Sequence, residues 1–315
     1  MIFISYNEDS YERSIIELFQ ELGYAYYYGP DVERDYKNPL FMSDLDNLYN
    51  INISLDKEAI DKAIEIIQDF GIASLEDKND KFMSYLQNGV SVNYWKNGEE
   101  LSTLVKLVDF ENLENNLFTV INQWTIIDKE TKRPDIVVFV NGLPLVVCEL
   151  KSPSRDDADT SEAYNQLKKY MQVIPELFNY NAFCVMSDMS ISKAGTITSL
   201  EDRFMEWKTT DGSYETTRWA DFNTFFEGIF EKSRFIDILK NFILYSVDSG
   251  NKIKILGAYH QYFAVNKAVK STLDAIGRDG KAGVFWHTQG SGKSLSMVFY
   301  VNKLQQILES PTFVG

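Results

Sequence analysis

Cysteine and histidine are scarce in this chain, with two of each among 315 residues. Cys148 and Cys184 sit inside the apolar runs LVVCEL and AFCVMS, so they read as buried thiols of a reducing compartment and not as a disulfide framework. So few thiols and imidazoles also argue against a zinc centre made of the usual ligands. Long apolar runs are missing as well: none approaches the roughly 18 residues that a membrane-spanning helix requires. The opening MIFISYNEDSYERS turns acidic by Glu8, the wrong flank for a signal peptide. These absences predict a cytoplasmic protein with no membrane association. Positive charge is short too. Lys and Arg number 31 against 46 Asp and Glu, a net charge of −15, which is too acidic for a chain that coats nucleic acid through its own surface. A local groove or partner subunits can still supply affinity for DNA.

What is present is a globular composition, 44% hydrophobic and 14% aromatic, long enough for two domains or for one and part of another. Ile15, Ile16, Leu18, Phe19 and Leu22 recur at helical spacing and predict a helix over 10–22, with Gly23 as its stop. An extended run at 24–28 follows, then helices over 56–70 and 75–87. From Val90 the period changes to that of strands: VSVNYW, TLVKLVDF and LFTVINQWTII. IVVFV (136–140) and LVVCEL (145–150) flank Asn141-Gly142, a strong hairpin signal. A helix is predicted over 160–174, a strand over 182–187 and a helix over 235–244, while 201–232 is rich in aromatics with no simple period. The polar stretch SGNKIK near residue 250 suggests a boundary between units 1–250 and 251–315. Beyond it lie a helix over 258–275, a short buried strand GVFW (283–286), a helix over 293–309 and the start of another strand at TFV. One strand, loop and helix cannot close a core alone, so the chain reads as part of a longer protein.

Two constellations carry chemistry. RPDIVVFVNGLPLVVCELKSP places thirteen residues between Asp135 and Glu149-Leu150-Lys151. Metal-dependent phosphodiester cleavage needs two hard oxygen ligands for Mg²⁺ and a cation near the charge that develops on the phosphate. Asp135 and Glu149 supply the oxygens and Lys151 the cation. Glu149 and Lys151, two apart on a strand, share a face, and Leu150 points into the core. A helix then carries Gln166 and Tyr170, four apart and on one side. The hairpin faces a geometric demand. With Asn141-Gly142 as a strict two-residue loop, paired positions sum to 283 and Asp135 falls on the face opposite Glu149. The pairing must shift to a sum of 284, through a three-residue loop or a bulge near Pro144, unless Asp135 lies just before the strand.

The second constellation is HTQGSGKS (287–294), predicted to follow a strand and open a helix, as a Walker A loop does. Gly290, Ser291 and Gly292 let backbone N–H groups turn toward phosphate oxygens, Lys293 reaches the β/γ-phosphates, and Ser294 holds Mg²⁺. His287 departs from the usual Gly or Ala.

Gln166 and Tyr170 after E-x-K resemble the Q-x-x-x-Y pattern of the RecB-like branch of the PD-(D/E)xK nucleases, where Glu12 matches the place of a further acidic metal ligand. Tyr259-His260-Gln261-Tyr262-Phe263 resembles the Q motif of superfamily 2 helicases, with Gln261 at the adenine edge. Together with ELGYAYYYGPD, VDFENLENNLFTVINQWTI and WHTQGSGKSLSM, these motifs resemble, along the whole chain, the R (restriction and motor) subunit of type I restriction enzymes. The resemblance implies an α/β fold: a restriction-endonuclease-like mixed sheet flanked by helices, followed by the beginning of a RecA-like P-loop domain. It also implies a Mg²⁺-dependent, ATP-dependent endonuclease (ATP acting in the full-length protein), double-stranded DNA as substrate, and methyltransferase and specificity subunits as partners. Two other readings stay open at this point: another nuclease–helicase of type III restriction or DNA repair, and a non-catalytic ATP-binding interaction module.

Overall fold

A computed structural model describes residues 8–151, 160–188, 190–213, 222–286 and 292–309. Helix α1 (Glu8–Glu21) buries Tyr11, Ile15, Ile16, Leu18 and Phe19 along one side, while Glu17 and Gln20 face water. Gly23, at φ 83°, ends it in the left-handed conformation that glycine adopts without strain, and the chain turns into strand β1 (Ala25–Tyr28). Helices α2 (Lys57–Gln68) and α3 (Leu75–Asn88) follow, the second capped by Ser74 accepting from the Asp77 N–H. A separate hairpin, Val90–Lys96 with Glu99–Val105, then packs against α2.

Six strands form one mixed sheet whose spatial order is the chain order: β1, β2 (Phe118–Asn122), β3 (Ile136–Val140), β4 (Leu143–Leu150), β5 (Phe183–Ser187) and β6 (Ser192–Gly195). The β1–β2 and β4–β5 pairs are parallel; the other three neighbours are antiparallel. Every residue of β2 to β5 is buried, as continuous apolar strands are when both sheet faces are covered. Helix α4 (Thr160–Val173) covers one face, where Ala163 and Leu167 join Ile121, Val137, Phe139, Val147 and Cys184. The other face packs against α1 and α5 (Phe222–Phe230), with Phe19 4.9 Å from Phe230 and 5.8 Å from Phe226 between ring centroids. Helix α6 (Lys232–Asn241) extends that layer through Phe235, 6.0 Å from Phe183.

The β3–β4 hairpin has the two-residue turn that Asn141-Gly142 announced, with φ of 49° and 77°. The turn is buried, which is possible because its polar groups are satisfied: Asn141 Nδ2 donates to the Leu107 carbonyl and to Asn116 Oδ1, and Asn141 Oδ1 accepts from the Leu117 N–H and Asn47 Nδ2. A Cβ at Gly142 would stand 2.6 Å from the Leu45 nitrogen, so no side chain fits there. Pairing begins at a sum of 283, with Val140 opposite Leu143 and Phe139 opposite Pro144, then shifts to 284 from Val138–Val146 onward. Leu145 is the extra residue: the expected bulge, one position past Pro144.

Beyond residue 240 one expectation changes and one element appears that the sequence pattern had not assigned. The polar stretch near 250 is the tip of a second hairpin, Ile243–Asp248 with Asn251–Leu256, whose turn is Ser249-Gly250. Packing with the sheet-bearing unit therefore continues to Leu256, since Lys254, 2% exposed, donates to Asn79 Oδ1 and the Asn181 carbonyl. Helices α7 (Tyr259–Ile276) and α8 (Lys293–Glu309) come next. GVFW is not a buried strand: residues 281–286 are exposed and belong to no strand, because among the described residues no strand lies beside them to accept their backbone bonds. The strand expected at TFV lies outside the described residues. Helix α8 is held by Lys303, which bonds both oxygens of Asp237 on α6 at 2.5 and 2.6 Å, and by Phe299, 5.2 Å from Phe242.

Candidate active site

Asp135 lies just before β3, and the 284 register carried one step outward puts it opposite Glu149. The alternation agrees. Val137, Phe139 and Val147 belong to the cluster under α4, whereas Ile136, Cys148 and Leu150 belong to the opposite cluster. Asp135 and Glu149 therefore share the face that α4 covers. Without the bulge at Leu145 they would lie on opposite faces. Asp135 Oδ2 accepts from the Leu150 N–H at 2.8 Å. Glu149, 3% exposed, accepts from Lys151 Nζ at 2.7 Å, and the same ammonium reaches the Leu150 carbonyl at 2.9 Å. The Lys151 N–H donates to the Ser187 carbonyl at 2.8 Å, so the β4–β5 ladder holds the lysine backbone one residue past the strand.

Burial pushes the Asp135 carboxyl well above the ordinary carboxylate range, and the Glu149 charge pushes it further; the Leu150 N–H and Lys151 act against that rise. Helix α4 brings both of its expected residues to these two carboxylates. Burial, then the Glu149 charge, raise the pKa of the Tyr170 hydroxyl, while Gln166 acts in the other direction. Asp135, Glu149, Lys151, Gln166 and Tyr170 are thus brought into one neighbourhood, drawn from the ends of β3 and β4 and from α4.

Glu12 is placed differently. It sits on α1, in the layer across the sheet, and its oxygens accept from Asn122 Nδ2 at 2.5 Å and Gln123 Nε2 at 2.7 Å. Its charge reaches Asp135, adding to the rise in that carboxyl. Among the described residues no group of three or more His, Cys, Asp and Glu stands arranged to hold a metal ion. Asn122 and Gln123 had no role assigned from sequence. The polar pair ending the apolar run LFTVI was the signal for them.

The second constellation is partly assembled. Gly290 and Ser291 lie outside the described residues, as does His287. Gly292, at φ 75°, Lys293 and Ser294 open α8 and are exposed. Gln261, 4% exposed, stands beside them: its Oε1 accepts from the Ala258 N–H at 2.9 Å and its Nε2 donates to the Gly292 carbonyl at 3.1 Å. The fold joins the two motifs across 31 positions through the Gln261 amide. A cavity of about 770 Å³ opens next to them, lined by Tyr259, His260, Phe263, Lys267, Trp286 and Lys293 among others.

A mixed sheet with two carboxylates and a lysine at the end of a hairpin, followed by a P-loop helix, defines a nuclease-like unit joined to the start of an ATPase. Residues 5–203 match the family model described as Type I restriction enzyme R protein N terminus (HSDR_N), and the chain belongs to that family. Residues 260–314 match the SWI2/SNF2 ATPase model. The type I restriction enzyme HindI endonuclease subunit of Haemophilus influenzae is 38% identical over an alignment covering 98% of this chain and 31% of that protein. A Methanocaldococcus jannaschii protein, MjaIXP, provisionally described as a type I restriction enzyme endonuclease subunit, is 31% identical over 98% of this chain and 32% of its own length. A Staphylococcus aureus type I restriction enzyme endonuclease subunit is 25% identical over 63% of this chain and 20% of its own. The chain spans about a third of the length of the first two relatives. Among the described residues no helix is long and apolar enough to cross a membrane.

Proposed function

We propose that this chain carries the DNA-cleaving unit and the first ATP-binding elements of the R subunit of a type I restriction enzyme. The observation that carries the reading is the one-residue shift at Leu145, which puts Asp135 and Glu149 on one face with Lys151 bonded to Glu149. Two buried like charges raise each other's energy, and a divalent cation held by both relieves that cost. Mg²⁺ suits the pair because it commonly takes one or two carboxylates and fills its remaining positions with water and phosphate oxygens. Bound between Asp135 and Glu149, Mg²⁺ would supply Lewis-acid polarisation of the scissile phosphate. The protein's own groups hold the arrangement. The Leu150 N–H fixes Asp135 and Lys151 fixes Glu149, with Tyr170 and Gln166 beside them on α4. Lys151 is the cation that stabilises charge developing on the phosphate.

Double-stranded DNA is the substrate in this reading. Gly290, Ser291, Gly292, Lys293 and Ser294 hold the phosphates of ATP in the full-length protein, with Gln261 bracing Gly292. Methyltransferase and specificity subunits supply the sequence-specific contacts that a chain of net charge −15 lacks, and the cytoplasm is the compartment its free, buried thiols suit. The test uses the full-length subunit assembled with those partners on circular DNA. Asp135→Ala, Glu149→Ala or Lys151→Ala lowers cleavage by on the order of 100-fold or more, while DNA-dependent ATP turnover persists. Undiminished cleavage, or loss of ATP turnover in all three folded variants, overturns the assignment.

A further inference from the structure

We infer that Gln123 is a positioning residue of the cleavage site, tying Glu12 on one layer of the fold to Asp135 on the other and thereby setting the negative charge that the bound cation meets. The inference rests on the nuclease reading above. Its first support is backbone conformation. Gln123 has φ 55°, a left-handed conformation that a side chain bearing a Cβ enters at a cost and glycine enters freely. The fold imposes it where β2 ends: a Cβ on Gly29 would stand 2.6 Å from the Asn122 carbonyl oxygen and 2.7 Å from that of Gln123, so the two segments are already in close contact. A glutamine in this place is strained, and strain of this kind at a site is explained when the side chain has work that glycine cannot do.

The second support is what the residue touches. The Gln123 N–H donates to the Asp135 carbonyl at 2.8 Å, and its Nε2 donates to Glu12 Oε2 at 2.7 Å. Asn122 Nδ2 holds the other Glu12 oxygen at 2.5 Å, and Asn122 Oδ1 accepts from the Tyr26 hydroxyl at 3.1 Å. Glu12 is therefore clamped by two neighbouring amides, one of which belongs to the residue bonded to Asp135. Gln123 thus links Glu12 to the Asp135 backbone through two hydrogen bonds. Held there, Glu12 adds a third negative charge beside the Asp135–Glu149 pair and strengthens cation binding.

Gln123→Gly separates this from a purely structural role, since it removes the amide and relieves the backbone together. The assembled full-length enzyme is assayed for DNA cleavage across a MgCl₂ series, with its melting temperature and ATP turnover measured in parallel. Expected are an unchanged or higher melting temperature, unchanged ATP turnover, and a Mg²⁺ concentration for half-maximal cleavage raised by roughly 10- to 100-fold. Glu12→Gln produces the same shift, and the double variant no more than either alone. A Gln123→Gly enzyme with the wild-type Mg²⁺ curve, or one whose activity falls only as its melting temperature falls, overturns the inference. Asp135→Ala is run beside it. If that variant cleaves normally the nuclease reading fails as well, whereas an inactive Asp135→Ala with a wild-type Gln123→Gly defeats the inference alone.

Discussion

The sheet that carries Asp135 and Glu149 and the two helices that follow residue 258 handle similar sequence in opposite ways. LPLVVCEL and GVFW are both short apolar runs ahead of a polar motif. The first is strand β4, with β3 on one side, β5 on the other and helices over both faces, and every residue in it is buried. The second has no neighbouring strand among the described residues, and Val284 and Trp286 are 94% and 79% exposed. An apolar run becomes a strand only where other strands take its N–H and C=O groups and a covering layer takes its side chains. Motif chemistry can be written in one stretch of chain; the assembly that makes it competent is borrowed from elements distant in sequence.

The contrast is sharpest in the response to truncation. Phe139→Ala removes a fully buried ring packed 5.2 Å from Trp124 and 6.1 Å from Phe41, and about 3–5 kcal/mol of stability should go with it. Val284→Ala should change stability by less than about 0.5 kcal/mol, because its side chain is almost entirely in water. Chemical denaturation of both variants measures the difference, and comparable losses would show that the two regions share one cooperative core.

A smaller effect is expected at the joint between the regions. Burial pushes the Lys254 ammonium down to about 7, with Cys184 and Asp80 acting in the other direction. The folded value lies below that of the unfolded chain, so between pH 7 and 10 the unfolded state binds more protons, and this group's contribution to stability rises with pH. Wild type should therefore gain stability, on the order of a few kcal/mol, relative to Lys254→Met between pH 7 and pH 10. Parallel pH dependences for the two proteins would mean that the lysine stays charged, with Asn79, Asn181 and the Tyr245 ring sustaining it.

The smallest effect concerns nucleotide. Lys293 and Ser294 are exposed, 281–286 forms no strand with any described residue and the Gln261 amide is already engaged, so the 315-residue chain should bind ATP weakly or not at all. Calorimetric titration with Mg²⁺-ATP checks this, and micromolar affinity would erase the contrast between the regions.

Much of the sheet-bearing unit was legible in residue order. Helical spacing located α1 to α4 to within a few residues, and Asn141-Gly142 named its turn. The demand that Asp135 and Glu149 share a face required a register shift, met by the bulge at Leu145. Local pattern sufficed there because a period of two or of 3.6 residues records which side of an element is buried. Three features depended on contacts across the fold. Whether GVFW became a strand depended on neighbours that the described residues do not supply. Where Glu12 is held depended on which layer α1 occupies and on Asn122 and Gln123, more than a hundred positions away, whose amides bond it. What Gln261 bonds depended on Gly292, 31 positions on, whose carbonyl accepts from its amide. A sequence states which groups are available and how they alternate, but hydrogen bonds and charges act over a few ångströms, and only tertiary structure decides which groups come that close.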